Sequence, residues 1–407
     1  MHNFSLFRSN NNAATCLWAF LTVAALVMGS LAALLIGASG ARAAEQAKPV
    51  GLSVGGFFTQ GVALVDIYIK DKQSEEEVLL ENAEIHFRGK TLLDSGTEIG
   101  FRVELEAYTK DDQIDETYFY AKGNWGKIIL GAENGVAYLA GVHGPRFVPG
   151  IDMTNNDLMA DAMAGALKAM YRKGDLVGDA HMSPRLEHIT GDAPKISYFT
   201  PKLAGVQVGV SYTPNNKQRD GGASNFTLFE GKEQREIYEY SMSYDAALFG
   251  GRIEIGATGV ETHRGKGDKP QSRALGLKYS LGDWSIGGSR AIFNHLDMVD
   301  ARYKHHASNN NRGTDAREID TANYTLSYRL SDDSRVGLGF TRSDETSPQA
   351  AQVSQYREYM LGGGTRIAPG VSIGYFVQDV ELKRPGVTSG SKREEFQVLG
   401  LTLDLKF

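Results

Sequence analysis

The chain has 407 residues, with 43 Lys or Arg against 49 Asp or Glu and a net charge of −6. That balance carries no basic excess for nucleic acid. A single cysteine excludes a disulfide framework, and 47 glycines against 11 prolines favour strands and tight turns over helices.

The N-terminus reads as an address. Arg8 precedes an apolar run from Cys16 to about Ile36, and Ala41-Arg42-Ala43-Ala44 follows shortly after. A basic start, an apolar stretch and a small-x-small site describe an export signal over residues 1–43, cut after Ala43. The run is long enough to serve instead as a membrane anchor, but the cleavage site directly behind it favours removal. Cys16 lies at the wrong end of the run for a lipoprotein. Cleavage takes away Arg8, Arg42 and Cys16 and leaves an exported chain, residues 44–407, with 41 basic and 49 acidic residues. Without cysteine, thiol chemistry is excluded there.

Period-two segments fill the rest. Ile99, Phe101, Val103, Leu105 and Ala107 alternate with Glu98, Gly100, Arg102, Glu104 and Glu106. Ile85 and Phe87 alternate with Glu84, His86 and Arg88 in the segment before. One apolar and one polar face is the strand signature. Strands are expected at 50–66, 78–92, 97–109, 114–123, 126–133, 194–201, 204–213, 235–246, 250–262, 271–281, 283–293, 318–330, 334–343, 355–367, 370–382 and 393–407. Short turns, such as Asp94-Ser95-Gly96 and Ala368-Pro369-Gly370, alternate with long polar connections near 67–77, 213–234, 262–271, 293–318, 343–355 and 382–393. A soluble sandwich has no reason to place its long loops on every second connection; a membrane barrel does. Sixteen strands closed into a ring would turn their apolar faces to lipid and satisfy every backbone amide. Both termini then lie on the side of the short turns.

Three stretches carry a family resemblance. The hairpin ISYFTPKLAGVQVGVSYTP (Ile196 to Pro214), the strand WGKIILGAENG (Trp125 to Gly135) and the ending LGLTLDLKF resemble general porins of Gram-negative outer membranes, particularly the alphaproteobacterial type. The resemblance implies a sixteen-stranded all-β transmembrane antiparallel barrel, assembled as a homotrimer in outer-membrane lipid. It also implies passive diffusion of small hydrophilic solutes and ions, no cofactor, and a terminal aromatic, Phe407, read by the barrel-assembly machinery. In the ending, Leu399, Leu401, Leu403, Leu405 and Phe407 fit the lipid side, while Thr402, Asp404 and Lys406 fit the lumen.

One connection is out of scale. From about Glu133 to Pro194 no clear strand occurs, and a loop of that length is normally functional. By resemblance it is the third long loop, folded inward to narrow the pore. Glu133, Asp152, Asp157 and Asp161 stand in its first half against Arg146. Leu158, Met159, Met163, Leu167 and Met170 follow at helical spacing, the apolar side of a short helix laid on the wall. Arg88 and Arg102, with His86 beside them and Lys127 as a further candidate, would form the opposing basic wall. Acids and bases facing each other across a lumen set up a transverse field. The family's lysine on the first strand is missing from Gly51 to Gln60, and the net negative charge then suggests mild cation preference. Two blander alternatives stand beside this: the acids form a solvated outer loop, or Arg102 simply pairs with Glu104 or Glu106.

Enzymatic readings find less support. His306 and Ser308, in HHASNNN, suggest the His-x-Ser of the outer-membrane phospholipase, but they fall in an Asn-rich loop. His295, Asp297, Asp300, His305 and His306 fit no closed metal site. No nucleophile-elbow, Walker or dinucleotide motif occurs in a strand–turn–helix context. A solute-specific porin of the same fold remains the runner-up. A soluble β-rich binding protein would need a buried core that one-sided alternation does not supply.

Overall fold

The computed structural model describes residues 49–69, 72–107, 114–154, 183–186, 190–191, 193–216, 234–265, 271–296, 317–346, 354–383 and 393–407. The export signal, the expected helix with Asp157 and Asp161, and Asp297, Asp300, His305, His306 and Ser308 lie outside these residues.

Sixteen strands run β1 (Gly51–Ile69), β2 (Lys72–Leu92), β3 (Glu98–Glu106), β4 (Thr117–Gly123), β5 (Gly126–Ala132), β6 (Pro194–Phe199), β7 (Val206–Asn215) and β8 (Gln234–Leu248). They continue as β9 (Gly251–Gly265), β10 (Gln271–Leu281), β11 (Trp284–Leu296), β12 (Arg317–Arg329), β13 (Ser334–Thr346), β14 (Ser354–Ala368), β15 (Val371–Lys383) and β16 (Arg393–Lys406). Each pairs antiparallel with its chain neighbours, and β1 pairs with β16 from Phe57↔Lys406 to Ile69↔Glu394, which closes the barrel. Closure leaves the sheet without a side edge, the condition for crossing a hydrocarbon layer.

Alternation sets the two faces. Along β16, Leu399, Leu401, Leu403 and Leu405 are exposed, while Val398, Thr402 and Asp404 on the alternate positions are buried. Thr59 of β1 lies opposite Asp404, and its hydroxyl donates to that carboxylate at 2.9 Å. The exposed row is the outward face. The last residue is tied in by its backbone: Gly56 N–H donates to Phe407 O at 3.0 Å, Phe407 N–H donates to Gly56 O at 3.2 Å, and its ring stacks on Phe58.

Two expectations change. The polar stretch 67–77 is not a long loop, because β1 and β2 stay paired as far as Ile69↔Lys72. Exposure alternates along the consecutive glutamates 75–77 as it does along an apolar strand, and pairing to β16 on the other side holds β1 extended. The inward face is also less polar than expected. Val65, Ile67, Leu80, Val380, Phe396 and Val398 are buried in one cluster with Phe147, Val148, Ile151 and Met153 of the connection between β5 and β6. Ile237, Val260, Ala291, Phe293 and Ile319 form a second cluster with Ala137 and Leu186 of the same connection. Each buried Val, Leu, Ile, Phe or Met side chain among them contributes roughly 1.5–3 kcal/mol. These packed contacts seat the connection on the wall.

Candidate functional site

The connection leaves β5 through a short helix, α1 (Val136–Leu139). The first N–H groups of a helix have no partner within it. Here Val136 N–H donates to Ser211 Oγ at 2.9 Å and Ala137 N–H to Glu239 Oε2 at 3.0 Å, both on the inward face of the wall. Thr190 Oγ1 donates to the other oxygen of Glu239 at 2.6 Å, so one carboxylate holds both limbs of the connection.

From α1 the chain runs along the inward face. Glycines let its backbone come close: a Cβ at Gly276 would collide with the Val142 carbonyl, and one at Gly364 with the Pro149 ring. His143 Nδ1 lies 2.7 Å from Ser289 Oγ, and Thr402 Oγ1 donates to Pro149 O at 2.7 Å. Contacts thus reach from β7 and β8 to β16 and β1.

Asp152 sits at the centre of a clamp. Its carboxylate is paired with Arg146 at 2.5 Å and with Arg185, and it accepts from Thr154 N–H at 3.0 Å and Thr154 Oγ1 at 2.8 Å. Arg185 also donates through Nε to Thr154 Oγ1 at 3.0 Å and through a terminal nitrogen to the Tyr138 hydroxyl at 2.9 Å. Ser183 Oγ donates to Thr154 O, so residues 154 and 183 are pinned side by side. Burial disfavours charge on Asp152, but the two guanidinium groups and the Thr154 hydrogen bonds outweigh it and hold the carboxyl below its ordinary range. Burial, with Arg185 nearby, lowers the His143 imidazole to about 4.

The expected basic residues converge on the opposite limb. Arg88 and Arg102 bring terminal nitrogens to 3.0 and 3.2 Å from His86 Nδ1. That nitrogen therefore accepts, and Nε2 carries the hydrogen towards Glu84 Oε2 at 2.7 Å and Glu104 Oε2 at 3.2 Å. Arg102 pairs with Glu104 through Nε, the structural pairing weighed from sequence. Lys127 lies over the Tyr120 ring, 5.3 Å from its centroid. Glu133 is buried on this same side, accepting from Asn134 N–H at 2.9 Å and standing beside Lys127. Asp152 and Glu133 are therefore both locally satisfied, and Glu133 stands among the basic residues rather than across from them. Glu84, His86 and Glu104 are the group whose ligand atoms all lie within 4.8 Å of one another among the described residues. With both arginines on the imidazole, they form a closed charge network rather than an open metal seat.

Beside the Asp152 clamp lies a cavity of about 640 Å³, which Arg88, Arg102 and Lys127 do not line. Phe57, Thr59 and Glu84 line it on one side, Arg146 and Asp152 on another, and Arg335, Arg366 and Lys406 on a third. Sequence reading missed Arg185, whose segment has no periodicity, and Glu239, which resembles any polar strand residue. Glu84 and Glu104 were visible on the polar faces, but nothing in one strand announces a counterion on the next.

A family model for Gram-negative porins matches residues 30–384. This match is broader than the alphaproteobacterial type suggested by the hairpin. No curated protein matches the sequence. Among solved structures, the outer-membrane channel DcaP of Acinetobacter baumannii is similar at 10% identity and a TM-score of 0.57, over 88% of this chain and 97% of that one. The anion-selective porin from Comamonas acidovorans is similar at 14% identity and a TM-score of 0.52, over 88% of this chain and all (100%) of the other. In vitro folded OmpT of Vibrio cholerae, an outer-membrane protein in trimer form, is similar at 12% identity and 0.53, over 88% and 100%.

Proposed function

We propose, from the premise that this chain belongs to the Gram-negative porin family, that it is a diffusion pore for small hydrophilic solutes with a mild preference for cations. It is an outer-membrane β-barrel channel; the selectivity and the constriction are our reading. The observation that carries this reading is the connection after β5, seated on the inward face and bordering a cavity lined by charges of both signs. Polar solutes can exchange water for such side chains, whereas apolar ones disrupt the ordered water between them.

The charges assigned to the constriction are Glu133, Asp152, Asp157 and Asp161 against Arg88, Arg102 and Lys127. Since Asp152 is paired with two arginines and Glu133 stands beside Lys127, Asp157 and Asp161 are expected to carry most of the cation preference. Residues 1–43 act as a cleaved signal, and Phe407 marks the chain for barrel assembly. The trimeric form of a similar structure supports a homotrimer. No catalytic step belongs to this account.

Reversal potentials under a KCl gradient test the selectivity. Cation preference should fall in Asp157→Asn/Asp161→Asn; an unchanged potential would remove both acids from the pore. A solute-specific porin is the second reading, favoured by the apolar side chains packed inside the barrel, which narrow the aqueous path. Liposome swelling separates the two readings: rates that fall smoothly with solute size support general diffusion, and saturation by one solute supports specificity.

A further inference from the structure

The cavity beside the Asp152 clamp receives cations from three strands of the wall. Arg335 stands two residues before Gly337 on β13, on the inward face that Phe147 of the connection touches. Arg366 stands two residues after Gly364 on β14, and Lys406 two residues after Asp404 on β16. These are the strand ends beside the short turns. All three side chains line the cavity, together with Arg146 and Arg185 of the connection.

The carboxylates that pair with them are fewer. Arg366 Nε donates to Asp333 Oδ1 at 2.7 Å. Lys406 Nζ stands 3.4 Å from Asp404, whose carboxylate already accepts from Thr59. Arg146 and Arg185 share the single carboxylate of Asp152. Five cationic side chains therefore meet three paired acids, Asp152, Asp333 and Asp404. Of the other lining acids, Glu84 is engaged by His86, and Asp332 is exposed in the turn before β13. The Arg335 side chain has no hydrogen bond or ion pair among the described residues.

We propose that this cavity holds a small oxyanion, a carboxylate or a phosphate, on the Arg335 guanidinium, with Arg146 as a second donor. A guanidinium presents parallel N–H groups at the spacing of two such oxygens. Arg335 has that fork free, and the Arg146 side chain remains 63% exposed beyond its contact with Asp152. A cleft with an excess of one charge raises the local concentration of the opposite ion. The volume of about 640 Å³ takes an anion of a few carbons with its water, each water needing about 30 Å³. This subsite rests on the reading of the lumen as a solute path and adds a class of solute retained there. Entry and retention are separate: acids at the constriction favour cations, while the cavity retains those oxyanions that pass.

Equilibrium dialysis of the folded barrel in uncharged detergent, against labelled succinate or labelled inorganic phosphate, tests this. At low ionic strength the wild type should bind at least one of them saturably. Saturation by succinate alone identifies a carboxylate site, by phosphate alone a phosphate site, and by both a general oxyanion site. Arg335→Gln should weaken that binding at least tenfold. The Arg335 side chain holds nothing else in place, so the barrel should stay folded. Arg335→Lys keeps the charge, loses the fork and should fall between the two. No saturable binding of either probe overturns the proposal, as does equal affinity in Arg335→Gln. Dialysis needs no current, so its failure is distinct from that of the pore. A barrel that conducts without binding refutes the subsite alone, and one that binds without conducting refutes the open path alone.

Discussion

At the residue scale, Asp152 is the centre of the connection. It joins Arg146 before it to Arg185 after it, and Thr154 to both. Replacing Asp152 with Asn leaves two guanidinium groups without their counterion, a loss of about 3 kcal/mol for a buried pair. Limited proteolysis should then cut between Glu133 and Pro194 much faster than in the wild type; equal protection would mean the clamp is dispensable. Acid should loosen the same segment. Both folded values are depressed, Asp152 below the ordinary carboxylate range and His143 to about 4. The released segment therefore binds more protons, and stability falls as pH falls. The His143 contribution is complete above its ordinary value of 6.5 and is lost on descending towards 4; that of Asp152 disappears at still lower pH. Protease protection measured from pH 7 to pH 3 should decline over that window, and Asp152→Asn should lack the lower step. The acids of this segment were legible in the sequence because they lie close together. Arg185 was not, since an ion pair across 33 positions leaves no periodic trace.

At the element scale, strands were the most readable part. Their alternation follows from a wall with lipid on one side, and sixteen were legible within a few residues of their ends. The β1–β2 hairpin was the exception: hydrophobicity weakens where strands leave the bilayer, but the hydrogen-bond ladder continues to Ile69↔Lys72. The apolar patches on the inward face were also missed, because a strand with apolar residues on both faces loses its contrast where the connection covers it. Those patches give a second test. Phe147→Ala empties space against Gly337 and should destabilise the seated connection by about 3 kcal/mol or more. Gly276→Leu should have a similar effect by overlap, because its side chain would occupy the place of the Val142 backbone. Either change should increase current noise in single channels while leaving the barrel folded; quiet currents would show that the connection is held elsewhere. At the closing seam, deleting Phe407 removes its two backbone bonds to Gly56 and its stack on Phe58. The amount of barrel reaching the outer membrane should fall several-fold.

At the scale of the whole molecule, the sequence's slightly negative mean hydropathy of −0.29 is reconciled by geometry. Half of each strand faces lipid, and the other half faces water or the folded-in connection. On the reading proposed above, this barrel encloses an open aqueous path despite the apolar packing inside it. Recording purified, folded protein in a planar lipid bilayer shows whether that path is open. Stepwise, ohmic conductance increments are expected, with a zero-current potential that follows the salt gradient with cation sign. Folded protein that inserts yet passes no current would contradict that reading.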